Sequence, residues 1–273
     1  MVIPVPYDST SSYLPGTRRG PLSILEASTH MELFDEELKR EVYPVGIHTM
    51  NQLEITAQGP EQMIEKVTAA ARRCLKEGKF TVVVGGEHSV SLGMIRPLKE
   101  QYENLSVLQL DAHADLRSEY QGSRYSHACV GRRISEICPL CQVGIRSLSK
   151  EEWDYLASSK VSTLFAAEIQ GRRDWMSRVL TSLSDEVYVT LDLDVFDPSI
   201  MPAVGTPEPG GMGWREILDL LKEVFRHKRV VGMDIVELTP IPGHVASDFL
   251  AAKLIYRMIG YWEEQVIANR TNV

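Results

Sequence analysis

Four short apolar runs of this chain each end in a cluster of histidine, aspartate or glutamate residues. The runs are rich in valine, isoleucine and leucine, as expected for strands that are buried on both faces of a parallel sheet. Between them lie stretches whose apolar residues recur at helical spacing. This alternation predicts βαβ units and one doubly wound α/β domain. The four segments, each a run with its polar cluster, are 81–88, 106–115, 187–194 and 230–237.

The stretches between the runs have the lengths and end signals of ordinary helices. Within 60–79, apolar residues recur every three or four positions, and Gly78 is placed to end a helix before the next strand. A second stripe covers 214–225, and a final helix is predicted over 248–261. The chain has no linker, repeat or low-complexity segment, so we expect one domain over residues 1–273.

The composition of the chain argues against several classes of function. Its net charge of −8 offers no basic surface for nucleic acid or an anionic membrane. No run approaches the roughly 18 apolar residues needed to span a bilayer, and the N-terminus does not resemble a signal peptide. Four cysteines occur, and Cys138-Pro-Leu-Cys141 has zinc or redox spacing without a second pair. We therefore expect reduced, buried thiols in a cytoplasmic protein.

The polar clusters predict a metal site, because ligands of open α/β sheets bind beyond the carboxyl ends of the strands. Alternate residues of an extended chain point to the same side, so Asp111, His113 and Asp115 are expected to converge. The same holds for Asp192 and Asp194. Four crowded carboxylates repel one another unless cations compensate them. Two divalent ions fit this number of ligands, and imidazole with carboxylate oxygen favours Mn²⁺ over structural zinc.

Five ordered motifs carry the most specific signal in the chain. They are Gly85-Gly-Glu-His-Ser89, Asp111-Ala-His-Ala-Asp115, Ser126-His127, Asp192-Leu-Asp194-Val-Phe-Asp-Pro198 and Gly205-Thr-Pro-Glu-Pro-Gly-Gly211. Together they resemble the ureohydrolases, the arginase–agmatinase family, and the resemblance covers nearly the whole chain. It implies an arginase-like fold, with three αβα layers and a mainly parallel central sheet. It also implies two Mn²⁺ ions, release of urea from a small guanidinium compound, and a homotrimer or homohexamer.

The resemblance implies a role for each matched residue. The ligands of one manganese would be His88, Asp111, Asp115 and Asp192, and those of the other would be Asp111, His113, Asp192 and Asp194. Asp111 and Asp192 would bridge the ions. His127 matches the family's proton-shuttle histidine, Glu237 matches the glutamate that grips the guanidinium, and Asp115 is the candidate to protonate the departing amine. A structural role for His127, and a capping or arginine-paired role for Glu237, are the alternatives.

Substrate choice is expected to lie in the loop 116–126. This loop lacks the pattern by which arginases hold the α-amino and α-carboxylate groups, and it resembles that of agmatinases. Agmatine is therefore the favoured substrate, with putrescine and urea as products. Candidate substrate-binding residues here are Arg117, Glu119 and Tyr120. Arg117 and Arg124 leave guanidinobutyrate or arginine open, whereas Glu119 suits the distal ammonium of aminopropylagmatine.

A metal-dependent deacetylase and a non-catalytic scaffold are the alternatives from other classes. The deacetylase would use a histidine dyad and one zinc, and no His-His pair occurs in the chain. A scaffold is disfavoured because every matched metal ligand and Glu237 are present. His244 follows a proline-rich turn near the expected pocket, and the sequence assigns no role to it, to Cys138 or to Cys141.

Overall fold

A computed structural model describes residues 1–172 and 174–271 of the chain, and nine strands occur among them. They are β1 (Val2–Val5), β2 (Phe34–Asp35), β3 (Arg40–Glu41), β4 (Val82–Gly85), β5 (Ser106–Leu110), β6 (Leu140–Ile145), β7 (Ser162–Phe165), β8 (Glu186–Asp192) and β9 (Arg229–Val236). Seven form one parallel sheet in the order β1-β4-β9-β8-β5-β6-β7. β2 and β3 form a separate antiparallel pair.

Nine α-helices occur among the same described residues. They are α1 (Gly20–Ser28), α2 (Pro60–Lys76), α3 (Leu92–Gln101), α4 (Val130–Ser135), α5 (Lys150–Ser158), α6 (Ala166–Ile169), α7 (Trp175–Ser182), α8 (Trp214–His227) and α9 (Ala246–Thr271). Val82 and Val84 share an apolar core with α1, α7, α8 and α9, whereas Val83 shares another with α2, α3 and α4. Because strand side chains alternate between faces, one run serves both cores. The predicted three-layer αβα arrangement with a mainly parallel sheet is confirmed. A single domain over residues 1–273 stays a prediction.

Helix α2 shows how local sequence sets these elements. Pro60 occupies the first turn, where its missing N–H costs nothing, and Glu61 lies near the positive end of the helix dipole. Gly78 follows the helix with φ of +66°, a conformation that glycine adopts without strain. The end predicted at Gly78 is confirmed. The face turned to the core consists of Met63, Ile64, Val67, Thr68, Ala70, Ala71 and Cys74.

Helix α9 is longer than the predicted 248–261. It continues beyond Tyr261 because its next turns still have partners on the sheet. The ring of Trp262 stacks on Phe80 with centroids 4.5 Å apart. The side-chain oxygen of Gln265 accepts a hydrogen bond of 2.8 Å from Val230 N at the start of β9. Such polar and aromatic contacts do not follow the apolar period from which the helix was predicted.

Strand β9 also extends further than expected. The sequence predicts a strand that ends at Met233, with Asp234 beyond it, but β9 continues to Val236. Asp234 therefore lies inside the sheet, between Val83 of β4 and Thr190 of β8. A buried aspartate is tolerated there because its carboxylate accepts two hydroxyl hydrogen bonds, which offset its desolvation.

All four cysteines are buried and unpaired, in agreement with the predicted thiols. Burial raises the pKa of Cys138 and of Cys141 to about 11. Both pKa values lie well above neutral pH, so neither thiol is activated as a reactive thiolate. Among the described residues, no helix is both long enough and apolar enough to cross a membrane.

Candidate metal centre and active site

Four neighbouring strands deliver the predicted site residues to one edge of the sheet. β4, β9, β8 and β5 lie side by side, although they are far apart in sequence. His88 follows β4, Asp111 follows β5, Asp192 ends β8 and Glu237 follows β9. Because the carboxyl ends of parallel strands line a common crevice, this strand order places the polar clusters next to one another.

Two overlapping groups of side chains have the spacing of metal ligands. Within each group, one ligand atom per residue lies within 4.8 Å of the others. Asp111 belongs to both groups, which is the position of a ligand that bridges two ions. Asp115 approaches the first group, with Oδ2 3.5 Å from His88 Nδ1. The groups are His88, Asp111 and Asp192, and Asp111, His113 and Asp194.

The Nδ1 atom of His88 is the observation that best fits a bound cation. It is fully buried and makes no hydrogen bond among the described residues. Yet it lies 3.1 Å from Asp111 Oδ2 and 3.2 Å from Asp192 Oδ2. An orphaned imidazole nitrogen facing carboxylate oxygens is the arrangement expected when all of them point lone pairs at one centre. The residues present therefore fit a metal ion.

The electrostatics of the cluster agree with that fit. Burial, followed by the charges of Asp194 and Asp115, raises the pKa of Asp111 to about 7. Burial and the neighbouring carboxylates also hold the pKa of Asp192 well above its ordinary value. Among the described residues, no lysine or arginine forms an ion pair with any of these four aspartates. Divalent cations would supply the missing positive charge.

Glu237 combines an unusual backbone with two kinds of contact. Its φ of +68° is rare for a residue with a side chain, and Asp115 shares this feature with φ of +52°. Glu237 Oε1 accepts a hydrogen bond of 2.7 Å from His88 N, at the start of a short 3-10 turn. Glu237 N donates to Gly86 O at 2.7 Å. A Cβ on Gly86 would lie 2.1 Å from Tyr7 O, so the close approach of Tyr7 to this turn requires glycine.

His127 lies next to Glu237, with Nδ1 3.6 Å from Glu237 Oε1. Burial alone would lower the pKa of His127, but the hydrogen bond and charge of Glu237 raise it to about 9. Its backbone N donates to Thr10 Oγ1 at 2.9 Å. Thr10 in turn donates to the buried carboxylate of Glu87, from N at 2.6 Å and from Oγ1 at 2.7 Å. The N-terminal segment thus holds the loop that carries His127.

A cavity of about 210 Å³ opens over these groups. Arg117 and Tyr120 from the predicted specificity loop line it, whereas Glu119 and Arg124 are exposed and lie outside its lining. His244 is also exposed and outside it. The predicted site residues in the lining are His113, Asp115, Arg117, Tyr120, His127, Asp192, Asp194 and Glu237.

Comparison with known proteins places this geometry in a family. The sequence profile of the arginase family matches residues 1–260. The chain belongs to the arginase family. It is 44% identical to an N(1)-aminopropylagmatine ureohydrolase from Thermus thermophilus, over 95% of this chain and 89% of that protein. It is 38% identical to a protein of the same name from Synechocystis sp., over 97% and 89% of the two chains.

A solved structure gives the same result. The agmatine ureohydrolase of Thermoplasma volcanium superposes with a TM-score of 0.89 at 31% identity, covering 98% of this chain and 90% of that one. The chain is therefore a ureohydrolase of the arginase family. It shares with that family the fold, and its strand-end histidines and aspartates form the metal-ligand groups described above.

Glu152 is a cavity residue that the sequence did not reveal. Its Oε1 accepts from Leu116 N at 2.9 Å and its Oε2 from Ser149 N at 2.6 Å, so it ties the specificity loop to the start of α5. Arg117 Nε lies 3.8 Å from Glu152 Oε2, and the guanidinium of Arg117 lies over the ring of Tyr120. The capping pattern Ser149-x-x-Glu152 was the available signal. The other cavity residues missed are Ser12, Ala128, Ser147, Leu148, Ser149 and Thr206.

Arg146 is a second residue that the sequence analysis missed in this arginase-family site. It directly follows β6, as a fifth strand end with a charged residue. Its guanidinium donates to backbone oxygens of Asp194 at 2.7 Å, Phe196 at 3.2 Å and Glu208 at 2.9 Å. Arg146 therefore fixes the turn that presents Asp194. Nothing in the sequence indicates this role, because the hydrogen bonds of Arg146 go to backbone carbonyl oxygens and not to acidic side chains.

Proposed function

We propose that the chain hydrolyses the guanidinium group of an amine-bearing substrate, N1-aminopropylagmatine first and agmatine second, with two Mn²⁺ ions as cofactors. The observation that carries this proposal is the pair of ligand groups joined by Asp111, next to a cavity that Glu237 also lines. The sequence alone favours agmatine. The relatives at 38% and 44% identity bear the name of the longer substrate, and for that reason we place it first.

The donor set supports manganese and the hydrolytic chemistry. The ligand atoms are carboxylate oxygens with one imidazole per group, which suits Mn²⁺. Two Mn²⁺ ions bound there would supply a water of lowered pKa as the nucleophile. A guanidinium is a resonance-stabilised cation and a poor electrophile, so its hydrolysis depends on such a nucleophile and on close positioning.

Glu237 is proposed to orient the substrate. It lies on the cavity wall, 7% exposed, and no lysine or arginine among the described residues pairs with it. A carboxylate in that setting can accept charge-assisted hydrogen bonds from a guanidinium, at a gain of about 1.5–3 kcal/mol each. Glu152 is less available because two backbone N–H groups and Arg117 already contact it.

Asp115 and His127 are proposed to move protons. Attack of water on the guanidinium carbon gives a tetrahedral intermediate. The amine leaves this intermediate only after its nitrogen has gained a proton. Asp115 lies beside the ligand groups and lines the cavity, so its carboxyl can carry that proton. His127 lines the same cavity at its Glu237 side and can return protons between the site and solvent.

The test is an assay of the manganese-loaded protein with N1-aminopropylagmatine, agmatine, guanidinobutyrate and arginine, in which urea and the released amine are quantified. A metal-stripped sample and His113→Ala serve as negative controls. His227→Ala, which changes an exposed histidine on α8, is the matched control and should keep full activity. The metal content of the protein is measured in the same preparations.

The outcomes separate the candidates. Urea formed fastest from N1-aminopropylagmatine, and lost in both negative controls, supports the proposal. Urea mainly from agmatine supports the second candidate. Bound manganese without urea from any compound overturns the activity, and one zinc per chain would support a deacetylase. The oligomeric state implied by the resemblance and the cytoplasmic location expected from the sequence are separate proposals, and sedimentation velocity tests the first.

A further inference from the structure

The outer nitrogen of His88 is held by a chain of buried hydroxyl groups. Nε2 lies 2.9 Å from Thr190 Oγ1 on β8. Thr190 Oγ1 donates to Asp234 Oδ1 at 2.7 Å, and the hydroxyl of Tyr188 donates to Asp234 Oδ2 at 2.7 Å. All four side chains are fully buried, and they connect β4, β8 and β9 beneath the ligand groups. None of the three partners of His88 faces the substrate cavity.

The direction of these hydrogen bonds determines the tautomer of His88. Thr190 Oγ1 lies 2.7 Å from Asp234 Oδ1 and 3.2 Å from Ser91 Oγ. The carboxylate of Asp234 is only an acceptor and is the nearer of the two, so we assign the single proton of the Thr190 hydroxyl to Asp234. Thr190 Oγ1 then has only lone pairs to offer to His88. Nε2 must therefore carry the ring proton, and Nδ1 is left with its lone pair facing Asp111 and Asp192. That is the form of imidazole that binds a metal.

His113, in the other ligand group, has no such support. Its Nδ1 lies 2.8 Å from Asp194 Oδ2, but the nearest acidic oxygen to its Nε2, on Glu208, is 3.9 Å away. The His113 side chain is 23% exposed, whereas that of His88 is fully buried. The two histidines thus differ in how firmly the protein fixes them, and the chain from Thr190 to Tyr188 serves one group only.

We propose that Thr190 and Asp234 are positioning residues for the His88 ligand group, which hold the ring of His88 and its tautomer ready for a divalent cation. The inference rests on the metal centre in the proposed function. Removing a carboxylate or hydroxyl partner from a metal-bound histidine typically lowers metal affinity about 10-fold to 100-fold. We expect Thr190→Val to weaken binding at one of two sites by about 10-fold or more, and Thr190→Ser to stay within about 3-fold of the wild type.

The experiment is a Mn²⁺ titration of metal-stripped protein, followed by electron paramagnetic resonance, which counts free Mn²⁺ and distinguishes single ions from exchange-coupled pairs. Valine keeps the shape of threonine without the hydroxyl, whereas serine keeps the hydroxyl and leaves a small cavity. Thr68→Val is the matched control, because Thr68 is buried on α2 and its hydroxyl has no partner among the described residues. Thermal melts of the metal-free variants check that each is folded.

Loss of the coupled signal in Thr190→Val, with the signal kept in Thr190→Ser and Thr68→Val, supports the proposal. Equal binding by Thr190→Val and the wild type overturns it, as does equal weakening in the valine and serine variants, which would mean that packing matters and not the hydroxyl. If Thr190→Val does not fold, Asp234→Asn decides, since unchanged affinity there also overturns the inference. A wild type that binds no Mn²⁺ would instead reject the metal centre itself.

Discussion

The molecule contains two acidic regions that are neutralised in different ways. At the strand ends, Asp111, Asp115, Asp192 and Asp194 crowd together, and among the described residues only histidines form ion pairs with their carboxylates. In the second region, the fully buried guanidinium of Arg257 on α9 contacts three successive carboxylates. Its Nε lies 2.8 Å from Asp35, Nη2 2.7 Å from Glu36 and Nη1 3.2 Å from Glu37.

One carboxyl group from each region illustrates the difference by the direction of its pKa shift. Burial and neighbouring acids raise the pKa of Asp111 to about 7. The hydrogen bond from Arg257 lowers the pKa of Glu36 to about 2. Within the strand-end region, the charge of His113 lowers the pKa of Asp194 against the effect of burial. Where an arginine pairs with the carboxylates, their charge is already compensated within the fold. Where no arginine pairs with them, the carboxylates repel one another until an external cation compensates their charge. The difference separates a structural ion-pair network from a binding site.

The largest expected effect comes from Asp111→Asn, which removes the ligand shared by both groups and so tests the strand-end region directly. We expect urea formation to fall by about a thousandfold or more, because both ion positions lose a charged ligand. The metal-free variant should be no less stable than the metal-free wild type, since one repelling carboxylate is gone. Activity assays and thermal melts measure the two effects. Asp219→Asn, an exposed acid on α8, is the control. A clearly less stable metal-free variant would contradict the account of repulsion.

Arg257→Met should have the opposite pair of effects, lower stability with unchanged metal binding. It leaves the buried carboxylate of Asp35 without its cation, at a cost of about 3–5 kcal/mol in the free energy of unfolding. For a chain of this size that corresponds to a fall in Tm of roughly 10 °C. The Mn²⁺ stoichiometry should stay unchanged, because Arg257 lies outside the ligand groups. Arg226→Met, on the exposed side of α8, is the matched control. Loss of metal in Arg257→Met would show that the two regions are coupled.

Removal of metal from the wild type tests the difference between the two acidic regions without a mutation. Ions that bind only the folded chain stabilise it by about 2.7 kcal/mol at a concentration 100-fold above their Kd. We expect a chelator to lower the Tm of the wild type by several degrees and to leave that of Asp111→Asn unchanged. Differential scanning calorimetry with and without chelator measures this. An equal shift in both proteins would mean that the chelator acts elsewhere.

The smallest expected effect concerns Glu36 and pH. Its pKa is lowered to about 2 in the folded chain, so its pairing contributes stability above its ordinary pKa and loses it as pH falls towards 2. Glu36 is 58% exposed, so solvent screens the pair strongly. Glu36→Gln should therefore lower Tm by only about 2 °C at pH 7, and the difference should shrink below about pH 4.5. A difference that grows with acidity would reverse the assigned sign.

The sequence was sufficient for the layers of the fold, and it also predicts a ligand set, because both have local signatures. The helical period of α2 and the stop at Gly78 are encoded within a few residues, and the strand-end motifs name their own ligands. The order of the strands was not predictable in this way. β9 lies between β4 and β8 because of pairings between distant segments.

The side chains missed in the site share a cause. Thr190 and Arg146 matter through partners on other strands, and nothing in their own neighbourhood indicates those partners. The loop 116–126 shows the same limit. Of its predicted binding residues, Arg117 and Tyr120 line the cavity while Glu119 faces outward, because the turn at Tyr120–Ser123 sets their directions. The family resemblance identified the loop, and only the backbone path decides which of its residues face inward.

The central position of β9 has a consequence for how the protein is made. All six predicted ligands, from His88 to Asp194, are translated before residues 229–236. Yet β9 is the strand that joins β4, which precedes His88, to β8, which ends at Asp192. A nascent chain that stops short of β9 holds every ligand and lacks the strand that sets their spacing. Any metal ion that this site holds would therefore be bound only after residues 229–236 have been translated.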